Sequence, residues 1–255
     1  MISLIYETKD FIAVDKPAGV LVHEVPSIKH RVPREETLVD WVLEKYPEVK
    51  NVGDLPIGQA GLPAGRQVIQ IRPGIVHRLD RDTSGVILIA RNQEFFEYLK
   101  NLFKTHQIKK TYLALVWGKL EPKFGEIKIP IGIKTGTIKR TVWQKRAKDI
   151  KEAITDYRVK KYFNDFSLVE LTPKTGRTHQ IRIHLASLGH PVVGDKLYGF
   201  QKNKNPQSNT PFNLNRQFLH AVSLEFSSAD GHRIMIEAEL PEELKRIIDI
   251  LGEKT

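Results

Sequence analysis

The chain has 255 residues, 40% hydrophobic and 27% charged, which is long enough to bury a sizeable core. It has no apolar run near the roughly 20 residues of a membrane span, its opening "MISLIYETKD" turns polar too soon for a secretory signal, and it has no cysteine, which excludes disulfides, thiolate nucleophiles and cysteine-ligated metals and fits a cytoplasmic protein. Forty Lys and Arg against 30 Asp and Glu give a net charge of +10, and residues 134 to 151, "KTGTIKRTVWQKRAKDIK", with seven basic residues and one acidic, carry +6 of it, the pattern of a phosphate-contacting surface.

"LIYETKDFIAVDKPAGVLVH" predicts two short strands joined by turns, with Lys16-Pro17-Ala18-Gly19 as a type I turn. "ETLVDWVLEKYP" (36 to 47) predicts a short amphipathic helix that stops at Pro47. Residues 51 to 74 are rich in Gly and Pro without a sustained period, hence mostly loop. "RPGIV" and "GVILIAR" read as buried strands on either side of the charged stretch "HRLDRDTSG" (77 to 85). "NQEFFEYLKNLFKTHQI" predicts a helix capped by Asn92, with Phe95, Leu99, Leu102 and Phe103 on one face.

"KKTYLALVWGKL" (109 to 120) alternates as a strand, with Tyr112, Ala114 and Val116 on one side. "GEIKIPIGIK", "EAITDYRVKKYF" and "SLVELTP" continue as strands. Thr178 is the expected cap of a helix, "THQIRIHLASLG", that buries Ile181, Leu185 and Leu188 and ends at Gly189. The polar stretch from 201 to 215 reads as a flexible loop, "FLHAVSLEF" and "HRIMIEAEL" as a hairpin, and the residues after Pro241 as a final helix. No internal repeat or clean linker divides the chain, so the expected architecture is one α+β domain over residues 1–255, with a large, mixed, mainly antiparallel sheet and flanking helices.

Among residues that could carry chemistry, His179 and His184 are five apart and point to different faces, and His77 and His190 lack ligand-spaced neighbours, so no metal site is expected. Ser84 is not in a nucleophile elbow, and no phosphate-cradling glycine loop occurs, so no nucleotide cofactor is expected. The carboxylates Asp80 and Asp82 remain. A carboxylate held at the edge of a core by an arginine stays ionised where water is excluded, and Arg177 and Arg182 in "TPKTGRTHQIRIH" are candidate partners. From the residues alone, a structural ion pair explains this pattern better than catalysis does.

"HRLDRDTSG" resembles the signature of the pseudouridine synthases of the ribosomal large-subunit type. "VDKPAGVLVH" (14 to 23), "KKTYLALVWG" (109 to 118), "GRTHQIRIH" (176 to 184) and "GDKLYG" (194 to 199) resemble that family's other blocks in the same order. The resemblance implies the pseudouridine synthase catalytic fold with a central cleft and the isomerisation of uridine in RNA, most often ribosomal, without a cofactor or metal. It implies that Asp80 is the essential aspartate, that Tyr112 stacks on the base, and that Arg182 pairs with Asp80. It further implies that Arg78 enters the RNA beside the flipped uridine, and Arg177 and His77 are assigned to RNA with it.

Two departures stand out. No room precedes "LIYETKDFIAVDKP" for the small S4-type RNA-binding domain of many relatives, and "GQAGLPAGRQVIQI" (58 to 71) looks like a loop insertion. The expectation is therefore a monomeric, stand-alone RNA-modifying enzyme, with a catalytically silent RNA-binding or ribosome-assembly protein on the same fold as the alternative. RNA would be held largely by Lys139, Arg140, Lys145 and Arg146. Replacing these four by Gln should weaken RNA binding mainly at low salt and reduce the slope of log K against log salt by about 0.7 to 0.9 for each phosphate no longer neutralised. Binding titrations at several salt concentrations, beside mapping of the modified uridine, check this; the modified uridine should stay the same.

Overall fold

The computed structural model describes residues 1–24, 35–54, 72–135, 139–143, 145, 147–200 and 211–253. The insertion expected at 58 to 71, the start of the loop at 201 to 215, and Arg146 lie outside the described residues.

The chain opens with strands β1 (Ser3–Glu7) and β2 (Phe11–Lys16), paired antiparallel. The reversal after β2 falls on Ala18 and Gly19, with Gly19 at φ 87°, one residue later than a Lys16–Gly19 turn would place it. Helix α1 (Leu38–Lys45) begins with a capping box: the Thr37 side chain accepts from the Asp40 N–H while Asp40 accepts from the Thr37 N–H. Pro47 ends the α-helix as expected, but it starts a 3₁₀ turn (Pro47–Asn51), because proline is suited to a first helical position.

Strand β3 (Ser84–Ala90) is buried along its whole length. The preceding "RPGIV" is not a strand: Pro73 and Gly74 turn, Ile75 makes one isolated bridge to Ile89, and the chain runs irregularly through Asp80. Its apolar residues pack as a strand's would without pairing as one, a distinction that hydrophobicity does not encode. Helix α2 (Gln93–Lys104) is capped by Asn92, whose side chain accepts from the Phe95 N–H at 2.8 Å. It buries Phe96 along with Leu99 and Leu102, while Phe95 stacks on Phe11.

Strands β4 (Lys109–Trp117), β5 (Phe124–Lys128), β6 (Ile131–Lys134), β7 (Arg140–Thr141), β8 (Ala147–Lys151), β9 (Ile154–Tyr162) and β10 (Phe166–Pro173) follow, then α3 (Gln180–Ser187), β11 (Leu219–Ser227), β12 (Arg233–Glu237) and α4 (Glu242–Glu253). The basic segment contributes to a three-stranded sheet ordered β7-β6-β8. The cap of α3 is His179, in the left-handed region, and not Thr178. Leu188 is 39% exposed beyond the helix end, while Gly189 stops the helix as expected with φ 83°. The end of the stretch expected to be flexible is ordered: Pro211–Asn213 form a 3₁₀ turn and Leu214 is buried.

The main sheet runs β1-β2-β3-β11-β4-β10-β9-β5, with β12 also paired to β11. Among the described strands, β3 and β11 make the single parallel pairing, through His220↔Ser84 and Ala221↔Gly85. That pairing is a seam. On one side lies a core of α1, α2 and β1–β3, on the other a core of α3, α4, β4, β9 and β10. Contact across the seam is close: a β-carbon on Gly85 would lie 2.1 Å from the Ala221 carbonyl oxygen, and Gly85 has φ 120°. Gly85→Ala should therefore cost at least ~3 kcal/mol. Gly231→Ala, at φ 84° with nothing within 4 Å of the new carbon, should cost about 1 to 2 kcal/mol. Urea unfolding of the two variants tests the difference.

Candidate active site

The charged stretch "HRLDRDTSG" is tethered residue by residue. Lys16, fully buried, donates from Nζ to the carbonyls of Pro17, Val20 and Arg81 at 2.8, 2.9 and 3.0 Å. Burial pulls its pKa down to about 7, against the opposing pull of Asp82. Arg81 reaches back to the Gly19 carbonyl at 3.0 Å and pairs with Glu35 at 2.9 Å. Thr83 Oγ1 accepts from Gln217 at 3.1 Å. Ser84 Oγ lies 2.8 Å from His220 Nδ1; because His220 Nε2 donates to the Ala238 carbonyl, Nδ1 is the acceptor. The charges between two apolar segments are thus the fastenings of a loop to both halves of the fold.

His77 serves that loop rather than a charged ligand. Its Nε2 accepts from the Leu88 N–H at 2.9 Å, its ring stacks on Phe103 at 4.6 Å, and burial drives its pKa down to about 3. The ring is neutral at physiological pH and offers no cation to a phosphate.

Asp80 is held from the far side of the seam. Helix α3 is buried on nearly every face, and Arg182, 6% exposed, is the charged residue it carries inward. Arg182 Nη1 donates to Asp80 Oδ2 at 2.9 Å. Its Nε and Nη2 form a fork on Asp195 at 2.7 and 2.9 Å. Asp195 Oδ1 also accepts the N–H groups of Leu197 and Tyr198 at 2.8 and 3.0 Å. Burial opposes the charge on both groups, but the mutual hydrogen bonds prevail, raising Arg182 above and lowering Asp195 below the usual value.

Asp80 and Arg182 border a cleft of about 520 Å³, lined on one side by residues from Arg72 to Thr83 and on the other by residues from Pro173 to Arg182. Tyr112, on β4, faces into it; burial and then the Asp80 charge push its phenol up, so it stays protonated. Arg78 and Arg177 also line the cleft, Arg78 exposed and Arg177 anchored to the Glu152 carbonyl at 2.9 Å. The structure thus brings Asp80, Tyr112, Arg182, Arg78, Arg177 and His77 together. Lys139, Arg140 and Lys145 belong to the small-sheet region and do not line the cleft. Among the described residues no group of three His, Asp or Glu could hold a metal ion.

Two participants escaped the sequence reading. Asp195 was visible only as part of "GDKLYG", with nothing local to mark it as the partner of Arg182. Lys110 lines the cleft two positions before Tyr112, and burial pulls its pKa down to about 8. The period-two spacing of Lys110 and Tyr112 on one strand was the available signal.

A family model described as RNA pseudouridylate synthase matches residues 10–187, well over half of the chain. The chain belongs to that family. It is an isomerase, an RNA pseudouridine synthase. An uncharacterised RNA pseudouridine synthase of Aquifex aeolicus is 35% identical over 99% of this chain and 73% of its own length. The ribosomal large subunit pseudouridine synthase D of Nitrosomonas europaea is 34% identical over 98% of this chain and 65% of its own length. A solved structure titled Human RNA Pseudouridylate Synthase Domain Containing 4 shares the fold, with a TM-score of 0.71, at 22% identity, covering 98% of this chain and 92% of that one.

The Asp195 side chain is fully buried, so Asp195→Asn strands part of a buried guanidinium charge and should cost about 3 to 5 kcal/mol. Asp80→Asn leaves the Asp195 fork in place and should cost about 1 kcal/mol. Equilibrium urea unfolding of both variants measures the difference.

Proposed function

We propose that the chain isomerises specific uridines of large-subunit ribosomal RNA to pseudouridine, with Asp80 as the catalytic carboxylate. The observation that carries this is that Asp80 is the sole carboxylate among the described residues lining the cleft, and it is paired with Arg182. The ribosomal target is supported by relatives named ribosomal large subunit pseudouridine synthase D, including one in Borreliella burgdorferi that is 38% identical over 78% of this chain and 55% of its own length.

The reaction breaks the bond from N1 of uracil to C1′, turns the base, and joins C5 to C1′. Each way a carboxylate can assist, by attack on C1′, by stabilising an oxocarbenium-like centre, or by removing the C2′ proton, requires it ionised. Arg182 donates to one Asp80 oxygen, and Asp195 spares Asp80 from neutralising the guanidinium alone. A phenol held protonated at Tyr112 suits stacking on the uracil and hydrogen bonding to it as it turns. Arg78, exposed at the cleft, suits insertion into the space left by the flipped nucleotide. The basic small sheet, with Lys139, Arg140 and Lys145, would hold phosphates away from the chemistry.

Asp80→Asn should lower the single-turnover rate of pseudouridine formation at least ~10³-fold while RNA affinity holds, whereas Asp82→Asn should stay within about 10-fold of the parent. Equal activity of the two variants would remove Asp80 from the chemistry.

A further inference from the structure

The block "GDKLYG" supplies Asp195 to Arg182, and its Tyr198 reaches His179 beside Asp80. The Tyr198 hydroxyl accepts from the Arg140 N–H at 3.3 Å and lies 3.0 Å from His179 Nδ1. Its ring stands edge-on to the His179 ring at 5.6 Å, and the Arg182 guanidinium carbon lies 5.3 Å from its centre. The other imidazole nitrogen, His179 Nε2, is 3.9 Å from Asp80 Oδ1, whereas Arg182 holds Oδ2.

Proton accounting orients this chain of contacts. The phenol has one O–H and accepts the Arg140 N–H; assigning that O–H to His179 Nδ1 gives the hydroxyl one donor and one acceptor role, and this tautomer is part of the proposal. The imidazole then carries its own proton on Nε2, facing Asp80 Oδ1. Burial lowers the His179 pKa; Asp80 and Asp195 pull it up, Arg182 and Arg78 down, and the net is a neutral ring. His179 also sits at φ 57° and ψ 20°, a backbone region in which non-glycine residues are held only by their surroundings and which clusters at functional sites.

We infer that Tyr198 and His179 are a positioning pair that presents a neutral Nε2–H to Asp80 Oδ1, so that Asp80 is oriented from both oxygens and Tyr198 ties that orientation to the small basic sheet through Arg140. This rests on the reading of Asp80 as the catalytic carboxylate. At 3.9 Å the last contact is long in the free protein; hydrogen bonds of this kind tighten when substrate fills a site.

The test is single-turnover pseudouridine formation, RNA affinity and melting temperature for Tyr198→Phe, His179→Asn, their double variant, His179→Gln and Asp80→Asn. Tyr198→Phe removes only the hydroxyl, and Asn tolerates the left-handed backbone. Each should slow the chemical step about 10- to 100-fold, with RNA Kd within about 2-fold and the melting temperature unchanged. The double variant should be no slower than the slower single, because both break one chain of contacts. His179→Gln, whose longer amide reaches Asp80 with an N–H, should retain the rate within about 5-fold. Parent rates in Tyr198→Phe and His179→Asn beside an inactive Asp80→Asn would overturn the positioning pair alone. Losses that multiply in the double variant, or that follow Kd or melting temperature, would also overturn it. A fully active Asp80→Asn would instead overturn the proposed function on which it stands.

Discussion

The structure turns on one guanidinium. Arg182 is almost completely buried, and a lone buried charge costs several kcal/mol even after the protein relaxes around it. The fork on Asp195 offsets that cost and consumes Nε and Nη2, so that Nη1 is left for Asp80. Asp195 in turn is secured by two backbone N–H groups of its own loop. The orientation of α3, the fold of the "GDKLYG" loop and the position of the Asp80 loop are therefore one problem with one solution. Moving α3 or the "GDKLYG" loop would leave a buried charge unpaired, and moving the Asp80 loop would take away the third hydrogen bond of Arg182.

The second requirement is that the Asp80 loop arrive at α3 from the other half of the chain. The parallel pairing of β3 with β11 brings it there, and Gly85 lets the backbones meet at a distance that no β-carbon allows. Lys16, Arg81, Thr83 and Ser84 then fasten the loop to residues before and after it. A loop so restrained presents its carboxylate without having to order itself when substrate arrives, which is where preorganisation saves free energy. The cleft wall around it is basic, with Arg72, Arg78, Lys104, Lys110 and Arg177 beside one aspartate, a field suited to a polyanion.

Much of this was legible in the chain. The strand from 109 to 117, the Asn92 cap, the all-apolar strand before Arg91 and the amphipathic final helix follow from contacts within four residues or from period-two alternation, both of which are written locally. The failures were local too, but of a different kind. "RPGIV" has the composition of a buried strand, yet whether it pairs depends on which edge of β3 is free to receive it. Thr178 has the chemistry of a cap, yet His179 takes the position in a left-handed conformation that local propensity would refuse. The basic segment shows no strand pattern of its own because the pairing that makes it a small sheet draws on residues 131 to 133 outside it as much as on its own residues.

By itself the sequence determined the fold class, the basic character of the surface and, through the resemblance of five ordered blocks, the family and a short set of candidate residues. Spacing could not choose between Asp80 and Asp82, because both flank Arg81 in the same charged stretch. The family resemblance pointed to Asp80, and the tertiary structure gives the two aspartates different surroundings. Asp80 meets an arginine 102 positions away, which meets an aspartate 13 positions further on, while Asp82 lies near the buried Lys16. Ion pairs of that range carry no periodicity and no neighbouring mark in the chain. They exist because burial makes an unpaired charge intolerable, and burial is a property of the assembled fold.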